Sequence, residues 1–460
     1  MRSCHPIIVI CAIAAWARPA AAQKFQPGEQ SSLNMQVLSH MPLGRVFTVA
    51  DVEIEQELSR PYAYVSRMHG TTKDAGTTII SVKDPGRAAR LYEWRVPDAA
   101  QHRGKGGVSN KYFKLKGRYY DVQSLQFDPG TPDADAGAHV LDVTGLPDTS
   151  KITELGYVRA PDTPGGFQSV FLYKHADTRV LMFATTTGPW VNVYDMARFV
   201  AGEKDLALVG RVPIPETVVQ PRTYDDMYVA YDPANKRDVF YGAGAGGYYV
   251  YDVSQPESAR LITSVTGAAG VTRGGSISPD PTGRYAIAQT DYQYSPLRLF
   301  DLKPGLDSAN KTITRPSGAW TADWKGLSHR AEVRWPYAFV SSYQDGLQII
   351  NLMDPTNPYT VGFSYTYDGP LQAGWGGADD PEKHFWDRGA KGGVDNGAFG
   401  IDVRNADGLI VVSDMTTGFW TLKMEGFQGW NGHGWGVPNV SSAQDWDNGP
   451  EGAVPPRRVS

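Results

Sequence analysis

The feature that most constrains this chain is an internal repeat of short strand-like segments that end in an Asp-Pro turn. The clearest copy, at residues 335–362, reads W-P-Y-A-F-V-S-S-Y-Q-D-G-L-Q-I-I-N-L-M-D-P-T-N-P-Y-T-V-G. An earlier copy has Y-A-Y-V at 62–65 and T-I-I-S-V-K-D-P at 78–85. Repeated units of this kind cannot bury their faces alone, so they stack into one larger body.

The number of repeats predicts a closed ring. Strand-like runs recur in groups of four, at spacings that suit four-stranded blades rather than a solenoid. Six groups are complete, with the outer strand of the fifth expected near 312–314, and the seventh has only three strands over 399–424. The segment M-Q-V-L-S-H-M-P-L-G at 35–44 resembles the outer strand L-A-L-V-G-R-V-P-I at 206–214 and can supply the missing strand. We therefore predict an all-β fold, a seven-bladed β-propeller in which an N-terminal strand completes the last blade and removes two exposed edges.

The N-terminus has the pattern of a cleaved signal peptide. One basic residue, Arg2, precedes the apolar run I-I-V-I-C-A-I-A-A-W-A at 7–17, and A-A-A at 20–22 offers a cleavage site. We expect a signal peptide over residues 1–22, a propeller over 23–425, and a Gly- and aromatic-rich tail over 426–460 that packs on the propeller or extends from it. This organisation predicts a secreted or periplasmic protein without a transmembrane anchor.

Cysteine usage and charge exclude several classes of function. Cys4 and Cys11 both lie in the expected signal peptide, so the mature chain would have neither disulfides nor a Cys-ligated metal. The net charge is −5, and loss of Arg2 and Arg18 makes it −5 − 2 = −7. Because the basic residues are scattered without a Lys/Arg run, nucleic acid is not an expected partner.

The repeat text resembles the LVIVD-repeat family. The elements Y-A-F-V, G-L-Q-I-I-N and D-P-x-x-P at 337–358 carry the resemblance, with weaker copies at 62–85, 248–256 and 297–302. The resemblance implies an exported bacterial β-propeller and brings no agreed activity with it.

Long connections on one face suggest where function resides. In a propeller, the connections from the fourth strand to the next blade emerge on the same face as those from the second strand to the third. We call this the elaborated face, because long connections are expected there at 97–111, 213–226, 304–329 and 365–397. They mix aromatic rings with carboxylates, which can wall a pocket or stack on sugar rings. The ligand-binding residues predicted on this face are Asp226, Arg273, Trp324, Trp386 and Asp395.

Histidines on the same face suggest an alternative chemistry. His69, His329 and His384 are predicted to approach the mouth of the central channel, where imidazoles with a carboxylate could hold Zn, Cu or Fe. The same groups could do acid–base work beside Arg273. The chain has no H-x-H or H-E-x-x-H pair, and a single imidazole at such a mouth more often bonds to the neighbouring blade.

Two functions therefore stay open at this point. The first is an exported propeller that binds a small molecule, a glycan or a protein across the elaborated face, with no established catalysis. The second is a metal-dependent oxidase or hydrolase with a His-lined site at the channel mouth. The sequence leaves undecided whether the protein is an enzyme.

Overall fold

A computed structural model gives the architecture of the chain. It describes residues 30–44, 48–68, 75–98, 101–219, 221–290, 295–307, 311–322, 327–367, 397–437 and 444–450. The predicted signal peptide at 1–22 lies outside these ranges. Among the described residues, no helix combines the length and the apolar character needed to cross a membrane.

The described residues form seven antiparallel sheets, each a blade with its first strand innermost. The N-terminal strand is β1 (Met35–Met41). The first three blades, in strand order from the axis outward, are β2 (Val49–Ile54), β3 (Tyr62–Arg67), β4 (Gly76–Ser81) and β5 (Ala89–Arg95); β6 (Asn110–Leu115), β7 (Arg118–Ser124), β8 (Ala136–Asp142) and β9 (Thr153–Arg159); and β10 (Val170–Lys174), β11 (Val180–Thr185), β12 (Trp190–Asp195) and β13 (Leu208–Pro213).

Blades four to seven continue the same pattern, and the described chain has three further short elements. Blades four to seven contain β14 (Tyr224–Asp232), β15 (Arg237–Gly244), β16 (Gly247–Asp252) and β17 (Arg260–Thr266); β18 (Ser276–Pro279), β19 (Tyr285–Gln289), β20 (Leu297–Asp301) and β22 (Gly318–Trp320); β23 (Arg330–Arg334), β24 (Tyr337–Ser341), β25 (Leu347–Asn351) and β26 (Tyr359–Ser364); and β27 (Ala398–Val403), β28 (Ile410–Asp414) and β29 (Gly418–Met424). The further elements are the extra strand β21 (Thr312–Ile313) and two short helices, α1 (Met196–Val200) and α2 (Lys303–Leu306).

The N-terminal strand closes the ring, as the sequence predicted. β1 pairs antiparallel with β29 in a register that runs from Met35 opposite Met424 to Met41 opposite Phe419. The segment just before β1 also contacts the sixth blade, where the Ser32 amide donates to the Phe363 carbonyl at 3.0 Å. The all-β seven-bladed propeller with N-terminal closure is therefore confirmed.

The recurrent Asp-Pro sequence has a structural role between blades. Asp84 and Asp354, each followed by a proline, and Asp148 at the same point of the second blade each accept a hydrogen bond from the backbone N–H two residues later, which fixes the turn before the outer strand. The Asp354-Pro355 turn of the sixth blade, and the corresponding Gln255-Pro256 turn of the fourth, pack against a glycine in the outer strand of the preceding blade. A Cβ at Gly210 would lie 2.0 Å from the Pro256 carbonyl oxygen, and one at Gly318 would lie 2.1 Å from that of Pro355. The turn in each of these two repeats therefore helps to determine how its blade packs against the preceding one.

The fifth blade differs from the prediction. Its outer strand is β22, whereas β21, near the expected position 312–314, pairs parallel with β17 of the fourth blade. The prediction was wrong because a short alternating run does not reveal which neighbour it pairs with. The long connection that begins at residue 302 therefore lies mostly on the opposite face, and only 321–329 of the expected 304–329 segment leads from β22 to the sixth blade.

Part of the tail contacts the face opposite the elaborated one. The Trp430 indole N–H donates to the Trp335 carbonyl at 2.9 Å, between the first two strands of the sixth blade. Further along, the Trp446 ring lies 6.2 Å from the Tyr112 ring, and Asp447 pairs with Lys114 near the end of β6. The described part of the tail thus contacts the sixth and the second blades, which are separated around the ring.

Candidate functional site

The channel end at the elaborated face is occupied by the Arg330 guanidinium. Arg330 opens β23, and it binds Asp51 of the first blade and Asp226 of the fourth blade. It also donates to the Ser169 hydroxyl at the start of the third blade, at 3.1 Å. Because one side chain bonds to three other blades, it spans the axis and ties the inner strands together.

A second cation lies beside this bridge. The Lys111 ammonium, on β6, lies 2.6 Å from Glu53 and 3.8 Å from Asp51. Burial alone would raise the pKa of Asp51, but Arg330 and Lys111 outweigh it and hold that pKa below its usual value. For Glu53 burial prevails, and its pKa lies well above the usual value despite Lys111.

Deeper in the channel the acidic groups outweigh their partners. Asp402 of β27 accepts hydrogen bonds from the amides of Ile54 and Val403. Burial, with the neighbouring Glu332 carboxylate, raises the pKa of Asp402 to about 7. The Arg334 guanidinium lies 3.1 Å from Glu332 and 3.5 Å from Asp402, which partly compensates both charges.

Little free volume is left among these side chains. The cavity lined by Asp51, Lys111, Asp226 and Arg330 measures about 30 Å³. A space of this size holds one or two water molecules and no larger ligand. The described inner strands therefore build a closed, charge-paired axis.

The structure places His329 at the channel mouth, in contact with the neighbouring blade. Its Nδ1–H donates to the Phe399 carbonyl at 2.7 Å, and its ring lies 3.9 Å from the Phe399 ring. Burial and the nearby Arg330 charge lower the pKa of His329 to about 3, so the imidazole is neutral. Its described contacts are those of a packing residue.

Asp226 and Arg273 lie at different places. Asp226 belongs to the axial bridge, while Arg273 lies farther out on the elaborated face and binds both carboxylate oxygens of Asp225. Arg273 also donates to the Thr223 hydroxyl at 2.6 Å. The structure therefore does not bring these two predicted residues into one site.

The remaining predicted site residues lie outside the described part of the chain. These are His69, His384, Trp324, Trp386 and Asp395. Within the described ranges, no three His, Cys, Asp or Glu side chains are grouped so as to hold a metal ion. The metal site thus stays a prediction that depends on residues without a described position.

Two further histidines among the described residues have structural partners. His139 stacks on Trp94 of the preceding blade at 3.8 Å, and burial lowers the pKa of His139 to about 4. His102 lies 3.2 Å from Asp133, and Asp133 and Asp135 both bind Arg159. Asp133 and Asp135 are therefore engaged with cations of the protein itself.

A much larger cavity lies on the elaborated face, at the rim of the ring. We call it the rim pocket; it measures about 780 Å³. It lies between the connection that follows β13 and the outer half of the fourth blade, with Arg273 at its edge. The lining residues are Pro215, Thr217, Val218, Val219, Pro221, Ala245, Gly246, Tyr249, Leu261, Thr263, Ser264, Thr266, Val271, Thr272, Arg273 and Thr312.

A second groove of about 620 Å³ lies between the second and third blades. Its lining includes five charged side chains, and four of them are already bound: Arg159 and Asp135 to each other, Asp162 to Arg211, and Lys204 to the Leu155 carbonyl at 2.6 Å. The two concave sites therefore differ in chemistry, one rich in ions and the other in hydroxyls.

Arg330 and Lys111 were not among the predicted site residues. Their position in inner strands could have indicated them, because a charged side chain there points toward the axis or toward another blade rather than toward open water. Charged residues in a strand that must be buried indicate paired ions. The rim pocket left no comparable signal, because its walls come from four separate segments.

Comparison with known proteins supports the propeller fold and assigns no activity. No protein-family model matches the sequence, and the search of curated proteins gives no match. Among solved structures, 1064 chains match, which marks the architecture as widespread. One is Raptor from Chaetomium thermophilum, with a TM-score of 0.53 and 9% identity over 86% of this chain. The matched part covers 29% of that chain, so this likeness shows a shared propeller fold alone.

Proposed function

We propose that this protein is an exported β-propeller that binds a partner on its elaborated face, a role for which no catalysis is established. Export rests on the signal-peptide pattern at 1–22 and on the resemblance to the LVIVD-repeat family. The fold supports a binding role, since propellers serve widely as scaffolds for sites built from their connections.

One observation carries the proposal: the described cavity at the axis is small, while the cavity at the rim is large. The cavity beside Arg330 measures about 30 Å³, whereas the rim pocket offers about 780 Å³ on the elaborated face. Pockets of about 300–1,000 Å³ are typical of small-molecule sites. The rim pocket, including Arg273, is therefore the part of the elaborated face where we place binding.

A screen followed by mapping tests this proposal. Thermal-shift measurements with a library of small molecules and oligosaccharides would find ligands, and hydrogen exchange measured by mass spectrometry would locate them. We expect slower exchange at 214–219, 245–249 and 267–273 on binding. Protection confined to the opposite face, for example at 233–236 and 280–284, would overturn the proposal.

A further inference from the structure

The walls of the rim pocket are fixed before any ligand arrives. The Val218 amide donates to the Pro215 carbonyl at 3.1 Å, which shapes the connection after β13. The Gly246 amide donates to the Thr272 carbonyl at 2.9 Å, which ties the segment before β18 to the fourth blade. Since these contacts lie within the protein, binding does not need a large ordering step.

Charge in the pocket is balanced. Among the described lining residues Arg273 is the one ionisable cation, and its Nε and one terminal nitrogen donate to the two oxygens of Asp225. No Asp or Glu belongs to the part of the lining that the structure describes. An ionised ligand would lose its hydration here and meet no uncompensated charge of opposite sign, which is unfavourable.

The uncharged part of the lining alternates between methyl groups and hydroxyls. Val218, Val219 and Leu261 supply apolar surface, and Val219 is 85% exposed at the lip. Ser264 and Thr312 place their hydroxyls 3.4 Å apart on one wall. Such walls suit an apolar body that carries a few hydrogen-bonding groups.

The described lining of this pocket offers no exposed aromatic ring on which a sugar could stack. Its one described aromatic residue is Tyr249, which is 1% exposed and donates its hydroxyl proton to the Ala245 carbonyl at 2.7 Å. Glycan sites rely on an exposed aromatic face against the CH groups of the sugar. Of the partner classes predicted from the sequence, this pocket therefore favours a small molecule.

We propose that the rim pocket binds an uncharged, mainly apolar small molecule that carries a few hydrogen-bonding groups. This inference rests on the proposed function, and it adds the chemical class of the ligand. It makes the rim pocket selective by charge, because an anion gains nothing from a guanidinium that a carboxylate already neutralises.

Two fluorescent probes with nearly the same rings test the charge selectivity. N-phenyl-1-naphthylamine is neutral, and 8-anilino-1-naphthalenesulfonate adds one sulfonate to that skeleton. We expect the neutral probe to bind the full-length protein roughly tenfold more tightly than the sulfonate. A Thr266→Trp variant, which fills the pocket from β17, should lose the neutral-probe signal. Thr153→Trp, at an exposed position on the outer strand of the second blade, is the matched control and should keep it.

The outcomes separate the two proposals. If both probes bind equally well and both are lost in Thr266→Trp, the ligand class is wrong while binding at the rim pocket stands. If neither probe responds to Thr266→Trp, the pocket is not the binding site and both proposals fall.

A second variant covers a folding failure of Thr266→Trp. Val219→Asp changes only the exposed lip, so the fold should remain intact, and the new charge should weaken binding of the neutral probe. Unchanged binding of that probe in a folded Val219→Asp protein would contradict the proposal.

Discussion

The axis and the rim of this propeller use polar side chains in opposite ways. At the axis, Arg330 and Lys111 meet carboxylates from other blades, and about 30 Å³ remains free. At the rim, one ion pair between Arg273 and Asp225 lies beside a hydroxyl-lined cavity of about 780 Å³. The comparison teaches that converging charges at the centre of a ring can serve assembly, while binding capacity resides where connections leave a gap.

The largest expected effect comes from breaking the axial bridge. Arg330→Met leaves Asp51 and Asp226 without their main partner in a buried setting, which should lower the free energy of unfolding by about 3–5 kcal/mol. Chemical denaturation measures the change. Arg260→Met is the control, because its side chain is 78% exposed and its pair with Asp252 should contribute less than about 1 kcal/mol. Equal, small losses in both variants would show that the axis is not held by Arg330.

A substitution at the contact between neighbouring blades should lower stability by a smaller amount. Gly210→Ala places a methyl group 2.0 Å from the Pro256 carbonyl, so the turn must shift at a cost of about 1–3 kcal/mol. Gly434→Ala is the matched control, since a Cβ there meets nothing within 4 Å. A melting temperature of Gly210→Ala that equals that of the control would contradict the packing role of the Gln255-Pro256 turn.

The fold was readable from the sequence because blade structure is local. Alternation in segments such as 337–341 fixes strands, and the lack of a fourth strand after Met424 identified the partner of β1. Pairing between distant segments was harder: β21 has the same alternation whether it joins the fourth blade or the fifth. The rim pocket depends on how four loops meet, which no periodicity encodes. The sequence named Asp226 and Arg273 without their partners, which the structure shows to be Arg330 and Asp225.

The acidic excess in the channel predicts a dependence of stability on pH. Burial raises the pKa of Asp402 to about 7, above its unfolded value, so its contribution is fully present at low pH and is lost as the pH rises through 7. Between pH 5 and 7 this carboxyl should lower the unfolding free energy by up to about 1.4 kcal/mol per pH unit. Asp402→Asn should flatten that slope in denaturation series at each pH. A slope identical to the wild type would show that Asp402 does not titrate as described.

The most direct test of binding at the rim pocket compares one axial and one rim variant in the same titration. Titrations of N-phenyl-1-naphthylamine into folded Arg330→Met and Thr266→Trp proteins separate the two regions. We predict that Arg330→Met is less stable than the wild type yet binds the neutral probe with wild-type affinity. We predict that Thr266→Trp keeps its fold and no longer binds the probe. Loss of binding in Arg330→Met with full binding in Thr266→Trp would place the site at the axis and contradict binding at the rim pocket.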